Sequence, residues 1–176
     1  DAAIPGLSRG FHLYISAGIE VEMWTQCDNH AFEGDRGMRI IWFQDSDPMV
    51  MSGGAQQTDR AHIVEGLKRG HDITVLTPEK QNDILIHPSD FVVLSNVARF
   101  NPDRLAQLPN NYVVFHHDFM FRCLWRLYLP LTEKCLVDCP QAPRWRPILQ
   151  RAKLHIFLSP LHHQLNYEYF KEAVEP

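Results

Sequence analysis

The sequence predicts an α/β domain built on a mostly parallel sheet with helices on both faces. Three observations predict it. Residues 38–43 (Met-Arg-Ile-Ile-Trp-Phe) form an almost wholly apolar run of strand length, and Gly53-Gly54-Ala55-Gln56 then opens a helical pattern. Further apolar runs at 73–76, 91–94, 112–115 and 154–158 alternate with helical segments, the pattern of a sheet buried on both sides. The residues directly after these runs are polar, which lines one edge of the sheet with hydrogen-bonding groups.

Taken in order, residues 1–37 read unlike the rest. Ile19, Val21 and Met23 alternate with Glu20 and Glu22, and Asp28-Asn29 and Gly34-Asp35 mark turns. An N-terminal arm, a hairpin or looser, is therefore expected to precede a domain at 38–176. The first domain strand is 38–43, and the polar loop 44–52 after it carries Asp45, Asp47 and Pro48. Helix one spans about 55–69, with Ile63, Val64 and Leu67 on one face and Gly70 as its stop. Strand two is 73–76, closed by Thr77-Pro78; 83–87 reads as a short strand and 91–94 as a stronger one. Asn101 caps a helix running to Leu108, with Pro102 in the first turn, where a missing N–H costs little. Strand 112–115 ends at His116-His117-Asp118. Residues 119–129 read as helical, 130–147 as a proline-containing connection and 148–152 as a short helix. Strand 154–158 leads to a last helix at 160–173, capped by Ser159.

Composition bounds the function. The 176 residues suffice for one domain with a sizeable core, and 45% hydrophobic with 22% charged residues is ordinary for a globular protein. No run approaches the roughly 20 apolar residues of a membrane helix, and four scattered cysteines do not make a disulfide framework, so a cytosolic setting is expected. The net charge of −4 arises in residues 1–37, which hold six acids and two bases; the remainder holds 15 of each. A neutral body argues against non-specific nucleic-acid binding. Residues 122–153 carry seven Lys/Arg against Glu133 and Asp138, a stretch suited to a solvated helix face or to peripheral contact with acidic lipid.

Ligands of an open parallel sheet bind beyond the carboxyl ends of its strands. That rule selects Asp45, Asp47, Gly53, Gly54, Thr77, Ser95, Asn96, His116, His117, Asp118 and Ser159. Gly53 and Gly54 let backbone approach a ligand at a helix start, where free N–H groups favour an anion. His117 with Asp118 is the best acid–base candidate; successive residues at a strand end face opposite ways, so one histidine of the pair is expected in the cleft. Cys123, Cys135 and Cys139 lack the close pair of a zinc knuckle, so no metal is expected. The fingerprints of dinucleotide-binding and phosphate-loop proteins and of serine hydrolases are absent.

These residues resemble a family. The 38–43 strand, the Asp45 loop, Gly53-Gly54-Ala55-Gln56 and Gly66-Leu67-x-x-Gly70-His71-Asp72-Ile73-Thr74-Val75 are similar to the start of GT-B fold glycosyltransferases of the retaining family-4 (group 1) type. Residues 112–118 resemble that family's central strand with its histidine loop, and 157–162 the strand–Ser–helix closing its N-terminal domain. The resemblance covers 38–173. It implies a Rossmann-like acceptor-side half, lacking here the donor-binding half that carries a Glu-x7-Glu motif. It further implies retaining transfer from a nucleoside-diphosphate sugar to a glycan or other acceptor, with no metal or other cofactor. Gly53 and Gly54 would contact the donor phosphate or sugar. His117 would contact the transferred sugar or the acceptor, oriented by Asp118, while Asp45, Asn96, His116 and Ser159 would line the acceptor side. The competing expectation is a non-catalytic binding or assembly module, motivated by the basic stretch and the aromatic-rich arm.

Overall fold

A computed structural model describes residues 12–15, 20–22, 37–82, 84–109, 112–121 and 142–166. In chain order its elements are β1 (His12–Ile15), β2 (Glu20–Glu22), β3 (Arg39–Gln44), α1 (Gly54–Lys68), β4 (Asp72–Leu76), a 3₁₀ turn (Pro78–Lys80), β5 (Phe91–Asn96), α2 (Pro102–Leu105), β6 (Tyr112–His116), α3 (Ala142–Arg151) and β7 (Leu154–Phe157), followed by helical residues 160–166. One seven-stranded sheet runs β2-β1-β7-β6-β5-β3-β4. The five strands from β3 onward are mutually parallel; β1 joins the β7 edge antiparallel and pairs antiparallel with β2. The fold is thus α/β and Rossmann-like, with helices on both faces.

Within the parallel part the strands stand in the order 2-1-3-4-5, which is doubly wound. The crossover carrying α1 leads outward to β4, whereas those carrying α2 and α3 lead the other way. Right-handed connections therefore put α1 on one face and α2 and α3 on the other. The cores agree. Ile63 of α1 packs with Ile40, Trp42, Val93 and Val113, while Leu105, Trp145, Ile148 and Leu149 pack with Ile41, Phe43, Val92, Leu94, Tyr112 and Val114. Odd and even strand positions separate cleanly, as the two-residue period demands.

Most expected elements stand close to their places, and the departures have physical causes. α1 ends where Gly70 takes φ +84°; the Gly70 N–H bonds Leu67 O and the His71 N–H bonds Gly66 O, a glycine-closed helix end. Ile63 is buried as expected, but Leu67, expected on the same face, is exposed, and the other residue α1 buries is Asp59. Asn101 does cap α2, its side chain accepting from the Asp103 N–H, but the helix stops at Leu105. Residues 84–87 form no strand; Ile84 and Ile86 pack against the core as irregular chain. α3 starts before the expected 148 and contains Pro147, because Trp145, Ile148 and Leu149 all bury on the sheet. Of the helix expected at 119–129, residues 119–121 form bend and turn rather than helix; residues 122–129, the connection up to 141 and residues 167–173 of the last helix lie outside the described residues. Among the described residues no helix is long and apolar enough to cross a membrane.

Candidate functional site

The carboxyl edge of the parallel strands carries two polar clusters, one on each face. On the α1 face Asp59 projects from the second turn of the helix and is fully buried. Its Oδ1 lies 2.9 Å from His117 Nε2, and its Oδ2 accepts the Ser95 hydroxyl at 2.5 Å. Ser95 belongs to β5 and His117 directly follows β6, so one helix and two strands converge on a single carboxylate. Burying a carboxylate alone is costly; here two donors replace its water. The His117 ring, only 4% exposed, stacks on Phe115 with centroids 4.4 Å apart and planes 12° from parallel. Phe115 meets the edge of His62, which bonds the Thr58 carbonyl through Nδ1 and stacks on Trp42.

Gly53 is the N-cap of α1, and no side chain caps the helix. A Cβ placed on Gly54 would meet nothing within 4 Å, so packing within the described residues does not require glycine there. The first-turn N–H groups carry the partial positive charge of a helix start. Gln56 ties this turn to the β3 loop through Ser46 Oγ at 3.2 Å. Asp59 follows five residues after Gly54, ~7.5 Å along the axis, so the open helix start and the Asp59–His117 pair share one end of α1.

On the opposite face His116 is buried, stacked on Phe157 and edge-on to Phe121. Its Nε2 lies 2.9 Å from His155 Nδ1, and His155 Nε2 lies 3.1 Å from the Leu149 carbonyl. A carbonyl only accepts, so His155 carries its hydrogen on Nε2, its Nδ1 accepts, and His116 Nε2 donates. His116 Nδ1 is then a bare lone pair, buried without a partner among the described residues. Burial pushes the His155 ring down to about 4, its bond to Leu149 O opposing only part of the shift. Burial, then the neighbouring His155, holds His116 well below the ordinary histidine range. Both rings are neutral at pH 7.

The expected site residues therefore divide. Gly53, Gly54 and His117 share the α1 face. His116, expected on the acceptor side of the cleft, is instead buried between β6, β7 and α3, because adjacent strand-end residues face opposite ways. Asp118, expected to orient His117, accepts the Met120 N–H through Oδ1, and its carbonyl meets His162 Nε2; the carboxylate on His117 is Asp59. Ser159 uses its hydroxyl as a helix cap for the His162 N–H. Asp45 accepts the Arg99 N–H through Oδ1, and Arg99 Nη1 returns to the Asp45 carbonyl, bridging the point where the strand order reverses. Beside that bridge the Asn96 Oδ1 and both amide atoms of Gln44 are buried with no partner among the described residues. Cys123, Cys135 and Cys139 lie outside the described residues.

Sequence reasoning missed Asp59 and Gln44. The signal for Asp59 was its i, i+4 spacing from Ile63, which puts a carboxylate in the buried stripe of α1. A groove of about 650 Å³ opens at the amino edge instead, lined by Arg39, Ile84, Leu85, His87, Ser89 and Asp90. Its charged groups pair with each other, Arg39 Nη1 to Asp90 Oδ2 at 3.0 Å, so its volume does not outweigh the chemistry at the carboxyl edge. No family model, curated protein or solved structure matches this chain.

Proposed function

We propose that this chain is the acceptor-side domain of a retaining glycosyltransferase that moves a sugar from a nucleoside-diphosphate sugar to a glycan or other acceptor. A separate donor domain would hold most of the nucleotide. One observation supports the reading above the others: an uncapped helix start with open space over Gly54 stands at the same end of α1 as a histidine held by a buried carboxylate. Departure of a nucleoside diphosphate develops charge on phosphate oxygens. Fixed N–H donors at Gly54 and Ala55 suit that charge, and they need no reorganisation during the reaction. His117 contacts a hydroxyl of the transferred sugar or of the acceptor. The setting is cytoplasmic, with peripheral contact at the inner membrane face through 122–153.

The test is transfer by the whole natural polypeptide, assayed with a panel of nucleoside-diphosphate sugars, beside a Gly54→Leu variant checked for folding by circular dichroism. Transfer is expected to fall by a factor on the order of 10² or more, the scale for losing preorganised donors. Unchanged turnover in a folded Gly54→Leu protein rejects the role of the helix start. A second reading, a binding or assembly module, draws on Met49, Val50 and Met51, consecutive exposed apolar residues in the loop before Gly53. Absence of nucleotide-sugar and glycan binding by calorimetry, with a stable protein complex recovered, favours it.

A further inference from the structure

We infer that Asp59 is a positioning residue, which fixes His117 in the Nε2–H tautomer and leaves Nδ1 as a hydrogen-bond acceptor for a substrate hydroxyl. The inference rests on the proposed contact between His117 and the transferred sugar or its acceptor. The donor count carries it. Ser95 donates its one hydroxyl hydrogen to Asp59 Oδ2, leaving Oδ1 for His117 Nε2 at 2.9 Å. A carboxylate oxygen only accepts, so the hydrogen between them sits on Nε2. Among the described residues nothing bonds Nδ1. The stack on Phe115 fixes the ring plane, so the Nδ1 lone pair keeps one direction. A ring held by a carboxylate on one nitrogen and unbonded at the other can accept a hydroxyl hydrogen at the unbonded one.

The tautomer is measurable without any activity. Two-bond ¹H–¹⁵N correlations on histidine-labelled protein are expected to show protonated Nε2 and bare Nδ1 for His117 at neutral pH, the signal being assigned by its loss in His117→Gln. In Asp59→Asn the Ser95 hydroxyl goes to the amide oxygen, turning an N–H toward the ring. Nε2 then becomes the acceptor and the hydrogen moves to Nδ1. Ser95→Ala leaves the carboxylate in place and is expected to keep the wild-type tautomer, which serves if Asp59→Asn fails to fold. A wild-type ring protonated on Nδ1, alone or on both nitrogens, overturns the inference, as does an unchanged tautomer in folded Asp59→Asn.

In the transfer assay, Asp59→Asn is expected to lower kcat by a factor on the order of 10² with little change in KM. Combined with His117→Gln it is expected to add nothing to the loss from His117→Gln alone; additive losses overturn the positioning role. If no nucleotide sugar is bound or turned over while the tautomer behaves as expected, the enzymatic reading fails and the Asp59–His117 arrangement stands.

Discussion

The two faces of the parallel sheet are built differently. Among the described residues, sixteen buried side chains on the α3 face form one apolar cluster, closed by Trp145, Ile148 and Leu149 from the helix. On the α1 face the buried cluster is five residues, and α1 contributes Ile63 to it together with the fully buried Asp59. Apolar burial stabilises roughly in proportion to area, and among the described residues the larger fully buried cluster is the one on the α3 side. The buried polar groups differ in kind: the α3 side buries His116 and His155 as a neutral pair, whereas the α1 side buries a carboxylate, Asp59, bonded to Ser95 and His117. A buried carboxylate costs more to desolvate than a neutral ring pair, and stability alone gives no reason to place one there.

The largest expected effect tests the division directly. Trp145 is 2% exposed and edge-on to Phe121, so Trp145→Ala is expected to cost ~3–5 kcal/mol. Ile63→Val on the α1 face is expected to cost ~1 kcal/mol. Urea unfolding followed by circular dichroism measures both, and the reverse ranking would break the comparison.

Acid gives the next largest effect, and it too resides on the α3 face. His155 is held at about 4, against an ordinary histidine value of 6.5 in the unfolded chain. Between those values the unfolded state binds more protons than the folded one, so stability is full above about pH 6.5 and falls as pH drops through 4. The loss from His155 alone is roughly 3 kcal/mol, and the lowered values of His116, His162 and His163 act in the same direction. A His116→Phe/His155→Leu variant removes both rings of this hydrogen-bonded pair together. Its stability, measured by urea unfolding at intervals between pH 7 and 4, is expected to vary less than that of the wild type. An identical slope would place the acid sensitivity elsewhere.

What the sequence made legible follows the same division. The parallel strands were readable because a strand buried on both faces is a continuous apolar run, and β3 (Arg39–Gln44) buries every residue but its first. The end of α1 was readable because Gly70 occupies a left-handed position that glycine favours. α3 was not readable at its start: Pro143, Arg144, Arg146 and Pro147 carry breaker and surface signals, and the packing of Trp145 overrides them. The Asp59 contacts were hidden for another reason. An acidic residue in an amphipathic helix reads as solvated, and its partners Ser95 and His117 stand 36 and 58 residues away, close only after the crossovers are laid down. The strand-end rule points to His117 at the carboxyl edge of β6, but sequence adjacency pairs it with Asp118, whereas the carboxylate that bonds it is Asp59 across the fold.

The smallest expected stability effect separates site from scaffold most sharply. Gly54→Ala adds a Cβ that meets nothing within 4 Å, at a helical position outside the left-handed region. Alanine is the better helix former and restricts the unfolded chain, so folding is expected to gain up to ~1 kcal/mol. On the proposed reading that same methyl stands where the diphosphate approaches the first-turn N–H groups, so nucleotide-sugar binding and transfer are expected to weaken. Stability rises while function falls, the two moving in opposite directions from one added carbon. Thermal unfolding alongside calorimetric titration with a nucleoside-diphosphate sugar measures both. If Gly54→Ala gains stability with binding unchanged, the space above α1 is simply open surface, and the polarity of that face must be explained by Asp59 and His117 alone.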